Sequence, residues 1–572
     1  MKNRIWLFFL FIAVAENTLA NTVPMLIDQN NPSRLAREIP KPQPARPQPP
    51  ALNTPAPSHA LTLDTLIDVR HLDFIGGTRY DAKTLLAPFA PYIGKKVPLK
   101  NLMVATQAIT KLYQQDGYVL SYAYLPADNF NNGTLKIGLV EGYIGNTLIK
   151  SDNAALGRWL TKLSKRIMAD KPLTKEVFER YTILMSRTPD AKVTATAKNP
   201  NNIYGATVLE VKADHPRSWN VSTALDSRKG VYTGVLNATF SGFTGYGEQL
   251  GVATLLPINN KDNDRYLGLN YQQYLGDNGL LMQLKGSYYK QNPKDYTDVL
   301  TLQPDNITLS ARAEQTQYNG GVVFSYPLYL TQKKQWTVSG GLDYVDKSYD
   351  LKSRARFNNF NNQLRDLPDQ NQSMHYPAAE VALLGYREYT QAYWSTRFSV
   401  RQGINGALAS SSTPWGDLGF TRWKVSGDTA YLFAEKWRLS ASAEGDWSDN
   451  VLPEAEQATF GGLRYGRGYP DSEATGDYGY GGQVEMRYIH NREGQWLKTI
   501  QPYMLVDTAR TFFNTPQLPA KKLASYAVGV TFGDNKHYSF SLEGARPIGD
   551  VPSDSTRRDW RFNATFTYNF AN

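Results

Sequence analysis

The sequence predicts an all-β transmembrane barrel of roughly sixteen antiparallel strands, preceded by two α+β domains and an N-terminal helix. Three observations predict it. The N-terminus reads charged, then apolar, then small; a mixed strand and helix order occurs twice before residue 215; and strict period-two alternation follows. On the polar face of that alternation Arg, Lys, Glu and Asp recur, and aromatic residues recur near segment ends. A soluble sandwich also alternates, but aromatic girdles around an apolar band belong to strands that meet lipid outside and water inside.

Each element can be justified in order. Lys2 and Arg4 precede the apolar run Ile5 to Val14, which ends near Thr18-Leu19-Ala20 before Asn21. That order is a signal peptide over residues 1–20; the run is short of the roughly 20 residues a spanning helix needs. Residues 21–39 contain Asn31 to Ile39, a short helix with Pro32 near its start and Pro40 at its end. Residues 40–60 form a linker whose Pro-rich part, Lys41 to Pro57, can sustain neither helix nor sheet and reads as an extended tether.

The first α+β domain, 61–142, opens with the alternating stretch Ile67 to Phe74, stopped by Gly76-Gly77. Lys100 to Gln115 places Leu102, Ala105, Ile109 and Leu112 on one helical face, and Asp116-Gly117 ends it. Tyr118 to Leu125 and Leu135 to Val140 read as strands separated by Asn131-Asn132-Gly133. The second, 143–214, offers a strand at Tyr143 to Ile149 and helices at Ala154 to Met168 and Lys175 to Met185. Strands at Lys192 to Ala197 and Ala206 to Val211 complete it.

The barrel occupies 215–572. Trp394, Thr396, Phe398 and Val400 alternate with Ser395, Arg397, Ser399 and Arg401; Trp437 to Glu444 repeats the pattern. Leu280 to Ser287 and Trp336 to Asp343 do the same. Short turns such as Thr331 to Lys334 alternate with longer stretches such as Gln291 to Gln317, the asymmetry such barrels show. The chain closes on the aromatic strand Phe562 to Phe570, overrun by Ala571-Asn572. Among the late strands lies Phe460 to Asp477, a glycine-dense loop around Gly466, Arg467, Gly468 and Tyr469. Glycine lets such a loop turn tightly and lay an always-charged guanidinium into a narrow wet interior.

Composition fits this reading. A net charge of +10 could suit nucleic acid, but Lys and Arg are scattered and the N-terminus points to export. Cysteine is absent, so disulfides play no part. The 36 Tyr, 44 Gly and 11 Trp are a heavy load for a chain that is polar on average; a barrel accommodates them because only alternate residues meet lipid.

Lys111 to Asn146, with Gly117, Tyr118, Gly133, Leu135, Glu141 and Gly142, is similar to a polypeptide-transport-associated (POTRA) domain. With Asp226, Gly230 and Gly234 at the barrel start, the Gly466 loop, and Gln501 to Phe513, these residues make the chain resemble the two-partner-secretion transporters. That is the hemolysin/hemagglutinin secretion-activation family of the outer-membrane POTRA-barrel superfamily, and the resemblance covers essentially all of the mature chain. It implies two periplasmic POTRA domains that capture an unfolded partner exoprotein of hemolysin, adhesin or contact-dependent toxin type. The barrel, a monomer in outer-membrane lipid, would conduct that client, with the N-terminal helix as resting plug and the Gly466 loop folded into the lumen. It implies no catalysis, cofactor, metal, nucleic acid or small-molecule substrate. The family's loop usually has a β-branched residue where this chain has Gly466.

In a lumen, a buried arginine calls for an acid nearby. If Met504 and Val506 face lipid, Asp507 points inward, and the family comparison places an acid there, so Arg467 and Asp507 are the expected pair. Glu473 and Asp477 read as solvated loop acids. The six histidines have no metal spacing, and no Gly-x-Ser-x-Gly elbow appears. An insertase of the same superfamily is the alternative; such proteins typically carry a different POTRA number and lack the tethered helix. An outer-membrane barrel enzyme should show a Ser/His or Asp/His constellation, and a passive porin needs no α+β domains.

Overall fold

The computed structural model describes residues 63–570 except 127–132, 190, 199, 201–203, 215–217, 229–230, 257, 259–263, 294, 303–306, 359–362, 413–415 and 516–519. The expected signal peptide, plug helix and linker, together with Gly230, His59 and the Ala571-Asn572 overrun, lie outside the described residues.

Unit 1, the described part of 61–142, is built on the helix Leu99–Gln115, which buries Leu102, Ala105, Ile109 and Tyr113 along one face. The single strand expected from Ile67 to Phe74 is two strands. Leu66–Val69 pairs with Lys95–Pro98, whereas His71–Ile75 runs parallel to Thr134–Val140 in another sheet with Tyr122–Tyr124. Arg70 sits at the change of sheet, its N–H donating to the Gly133 carbonyl at 2.8 Å. Alternation continues through Arg70 and so hides the switch. The strand Lys95–Pro98 escaped the sequence reading because it offers one buried residue, Val97, beside two exposed lysines.

Unit 2, the described part of 143–214, follows the expected order closely. Strand Tyr143–Ser151 lies parallel to Ala206–Asp214, which pairs antiparallel with Lys192–Ala197. Helices Ala154–Ala169 and Lys175–Ser186 cover the sheet; the Asn153 and Thr174 side chains cap them by accepting from the N–H groups of Leu156 and Val177. Trp159, Leu163, Ile167 and Phe178 are fully buried beneath them. Two main-chain bonds tie the units together: Lys175 N–H to Gly117 O at 2.7 Å and Leu173 N–H to Gly142 O at 2.9 Å.

Among the described residues, sixteen long antiparallel strands then close into a barrel, and four short strands (Thr297–Leu302, Gln363–Asp366, Ser410–Ser411 and His490–Asn491) extend it. Strand 1 is Trp219–Arg228 and strand 16 is Arg561–Asn569; they pair antiparallel and close the ring, with Thr565 opposite Asp226. Across that seam the Thr565 hydroxyl donates to Asp226 Oδ1 at 2.8 Å. The alternation resolves as lipid and lumen faces. Met504, Val506, Val381 and Phe562 are more than half exposed, while Gln283, Arg401, Ser525 and Glu543 between such residues are buried.

The barrel's ends differ. At one end the connections are short: 242–248, 275–280, 331–333, 389–391, 434–436, 489–498 and 534–537. Unit 2 sits against three of them. Trp159 stacks on Tyr274 with ring centroids 5.0 Å apart, Arg166 pairs with Asp277 at 2.7 Å, and Glu179 accepts the Gln332 N–H at 3.2 Å. The turn 242–248 is itself organised by buried Glu248, which accepts the N–H groups of Phe243, Thr244 and Tyr246. Leu281 and Leu330 extend the core of unit 2 into the strand ends. The far end carries the long connections, among them 448–477.

Candidate functional site

The connection 448–477 leaves strand 11 (Trp437–Trp447) and returns as strand 12 (Tyr478–Tyr488). It folds back along the inner wall as a hairpin, Ala458–Phe460 with Ala474–Gly476. Its tip is shaped by glycine. Gly461 (φ +128°) lies so close to the returning chain that a Cβ there would sit 2.3 Å from the Pro470 carbonyl oxygen. Gly462 bridges to Gly466, and a Cβ on Gly466 would meet the Gly461 Cα at 2.9 Å. The departure at Gly466 therefore has a physical reason: a β-branched residue does not fit this turn. Gly468 is pressed against strand 15 (Tyr538–Pro547), where a Cβ would stand 2.6 Å from Pro547 N.

The tip thereby touches four strands. Arg467 N–H donates to Asp507 Oδ2 at 2.9 Å on strand 13 (Thr499–Phe512). Gly468 N–H donates to the Ser525 hydroxyl at 3.1 Å on strand 14 (Lys521–Gly533), and that hydroxyl donates in turn to Asp507 Oδ1. Arg561 Nε donates to the Gly468 carbonyl at 2.8 Å from strand 16. Buried Tyr469 donates to the Ala524 carbonyl at 3.2 Å.

The residues expected to pair thus meet through the arginine's main chain. The Arg467 guanidinium is buried and reaches strand 15, its Nη1 3.7 Å from Glu543 Oε2. Glu543 also accepts from the Tyr503 hydroxyl at 2.8 Å and the Asn563 amide at 3.2 Å. Along strand 13 the odd-numbered residues are buried and the even-numbered ones between Pro502 and Arg510 exposed, so Asp507 faces the lumen with Tyr503 and Leu505. Ser525, Glu543 and Arg561 were missed by the sequence reading. The same alternation, Ser541-Leu542-Glu543-Gly544-Ala545, could have found Glu543.

Glu473 and Asp477 are not solvated. Glu473 pairs with Lys521 at 2.7 Å and accepts from the Ser553 hydroxyl and N–H. Asp477, fully buried, accepts the N–H groups of Leu452 at 2.7 Å and Asn514 at 2.8 Å. Polar loop composition suggested solvent; the loop's retreat into the lumen replaces water with main-chain donors.

The motif residues of unit 1 gather elsewhere. Gly117 (φ +88°) ends the long helix, with Tyr118 N–H returning to the Tyr113 carbonyl at 2.8 Å. Gly133 (φ +76°) receives the N–H groups of Arg70 and His71. Leu135 lies in the core, and a Cβ on Gly142 would sit 2.3 Å from the Leu120 carbonyl oxygen. Glu141 accepts from Thr78 N–H at 2.7 Å, Arg79 N–H at 2.9 Å, the Thr78 hydroxyl at 2.9 Å and the Tyr113 hydroxyl at 3.1 Å. Burial pushes the Glu141 carboxyl up, but these bonds outweigh it and hold it below its ordinary range. The Arg79 guanidinium lies over the Tyr118 ring, 5.6 Å from its centroid. Among the described residues no cluster of His, Asp and Glu could hold a metal.

Comparison with known proteins agrees with this architecture. Residues 67–142 match the model of the POTRA domain, ShlB-type, and residues 205–532 match that of the haemolysin secretion/activation protein ShlB/FhaC/HecB. Relatives include the heme/hemopexin transporter protein HuxB of Haemophilus influenzae (strain 86-028NP), 20% identical over 80% of this chain and 79% of that protein. The outer membrane transporter CdiB of Escherichia coli O6:K15:H31 is 22% identical over 89% of this chain and 81% of its own length. The solved structure of CdiB from Escherichia coli superposes with a TM-score of 0.69 at 17% identity, covering 92% of this chain and 94% of that one.

Proposed function

The chain belongs to the haemolysin secretion/activation protein family, and from that premise we propose how its parts divide the work of export. It is an outer-membrane two-partner secretion transporter with its POTRA region in the periplasm. In the proposal, unit 2 is a second POTRA domain, and both units receive a large, unfolded exoprotein of haemolysin, adhesin or contact-dependent toxin type. Exposed strand edges in the small sheets of the two units suit pairing with an extended client. The barrel then conducts the client, as a monomer in lipid, without chemical catalysis. Residues 21–39 plug the pore at rest and 40–60 tether them.

The observation that carries this reading is the lumen loop itself. A closed barrel whose interior holds a loop docked on strands 13 to 16 by a handful of polar bonds is a conduit with a removable obstruction. Most of those bonds involve a charged group and are worth about 1.5–3 kcal/mol net each; they join the loop to the wall and not strand to strand, so the loop can leave its dock without unfolding the wall. Arg467→Ala should leave the barrel inserted at normal abundance while export of the partner exoprotein falls at least about tenfold, the factor that ~1.4 kcal/mol makes. Undiminished export at equal surface abundance would remove the loop from the mechanism. Loss of other outer-membrane proteins on depletion of this chain would favour the insertase reading instead.

A further inference from the structure

The lumen loop is anchored a second time, before its tip. The short 3-10 turn Glu454–Glu456 lies against the wall formed by strand 7 (Lys334–Phe357), strand 8 (Gln370–Glu388), strand 9 (Ala392–Gly403) and strand 10 (Thr421–Phe433). Glu456 is only 3% exposed. Its Oε2 accepts Arg401 Nε at 2.9 Å, and its Oε1 accepts Arg401 Nη2 at 2.9 Å and the Tyr376 hydroxyl at 3.0 Å. Arg422 Nη1 stands 3.3 Å from Oε2 and donates to the Glu456 carbonyl at 2.6 Å. Beside it, Glu454 Oε2 lies 3.3 Å from Lys347 Nζ. Leu452, on the same arm, packs in a cluster with Tyr376 and Phe420.

This is a built socket. A buried carboxylate is costly unless both oxygens are filled by donors of good geometry, and here two guanidinium groups and a phenol fill them. The socket lies on strands 8 to 10, whereas the tip dock lies on strands 13 to 16, so the loop is pinned at two places on different parts of the wall. Arg401 is also gripped by Asp343 of strand 7 at 2.6 and 2.7 Å. When Glu456 withdraws, Arg401 therefore keeps an ionic partner, and the wall need not pay for a bare buried charge.

We propose that Glu456 is a positioning residue for transport: held by Arg401 and Arg422, it fixes the shoulder of the lumen loop and sets how often the lumen clears. The proposal rests on the reading of the barrel as a conduit, but its test does not need a client. Because the chain has no cysteine, Ala474→Cys provides a single reporter. Ala474 is fully buried and pairs with Phe460, four residues beyond Glu456. In intact cells, a membrane-impermeant maleimide should label the reporter about tenfold faster when Glu456→Gln is added, the factor of ~1.4 kcal/mol. Purified protein in planar bilayers should show a raised resting conductance, with heat-modifiable barrel mobility unchanged.

Tyr376→Phe, which removes one bond to Oε1 and no charge, should raise labelling by a smaller factor and serves if the first variant fails to assemble. Labelling and conductance unchanged in a folded Glu456→Gln barrel, or in Tyr376→Phe where that alone assembles, would overturn the proposal. Failure of the chain to export any exoprotein would leave the labelling difference in place and so counts against the conduit reading alone.

Discussion

Two carboxylates in this molecule hold a glycine-flanked turn that carries an arginine, and they hold it by the same means. In unit 1, Glu141 takes the main-chain N–H groups of Thr78 and Arg79 just after Gly76-Gly77. In the barrel, Asp507 takes the main-chain N–H of Arg467 between Gly466 and Gly468. They differ in number and reach. Glu141 adds the Thr78 and Tyr113 hydroxyls and sits inside one compact unit. Asp507 adds one hydroxyl, that of Ser525, and joins a loop to a wall. Four bonds around a local core make a staple; two bonds between separate segments make a latch. A motif residue is thus structural or conformational by how many bonds would break together.

The largest effect that tests this contrast comes from Glu141→Ala. It leaves two N–H groups and two hydroxyls without their acceptor, and should destabilise unit 1 by about 2–3 kcal/mol, after allowance for the partial exposure of the site. Hydrogen exchange should then quicken across Gly76 to Arg79 and the helix Leu99–Gln115 while the barrel's protection is unchanged. Unaltered exchange in unit 1 would mean that Glu141 is not a staple.

Gly466→Val should act more narrowly. It introduces the β-branched residue usual in the family into a turn where even a Cβ would meet Gly461 at 2.9 Å. The tip must shift, and Arg467 N–H should lose Asp507 without either charge being touched. We expect a folded, inserted barrel with export reduced by severalfold, as overpacking a tight site costs ~1–3 kcal/mol. Export at the normal level would show that the tip tolerates displacement, and the latch would then reside in side chains such as Glu543.

How far the sequence revealed these sites follows from the range of the interactions. The barrel strands, the two mixed units and the inward aim of Asp507 rest on period-two or helical periodicity, which is local and can be read residue by residue; the count of roughly sixteen follows from the length of 215–572 at about ten residues per strand plus connections. The break at Arg70 could not be read that way, because changing sheets leaves alternation intact. Glu473, Asp477 and Glu456 were illegible for a related reason. Each lies in a polar loop, and its burial comes from segments distant in sequence, such as Arg401 of strand 9 for Glu456 and Asn514, just past strand 13, for Asp477. Gly466 stood out in sequence as a departure, but its cause, the approach of Gly461, exists only in the folded hairpin.

The smallest expected effect is a pH dependence, and it separates the staple from its surroundings. Glu141 titrates below its ordinary range in the folded state because it accepts from Thr78, Arg79 and Tyr113 despite partial burial. A depressed folded value means that the group's contribution is fully present above the unfolded value of about 4.3. It is lost as pH falls through the lower folded value. Unit 1 should therefore hold constant stability from neutral pH down to about pH 5 and weaken below it. Glu141→Gln should flatten that acid limb while lowering stability at neutral pH, since an amide accepts at one atom where the carboxylate accepts at two. Asp534, in the turn 534–537, supplies the internal control: its carboxyl is held down at about 2 against its own burial by the N–H groups of Tyr538, Lys536 and His537 and by the His537 ring. The barrel turn should accordingly survive acid that loosens unit 1, and hydrogen exchange at about pH 4 that quickens both together would remove the distinction between them.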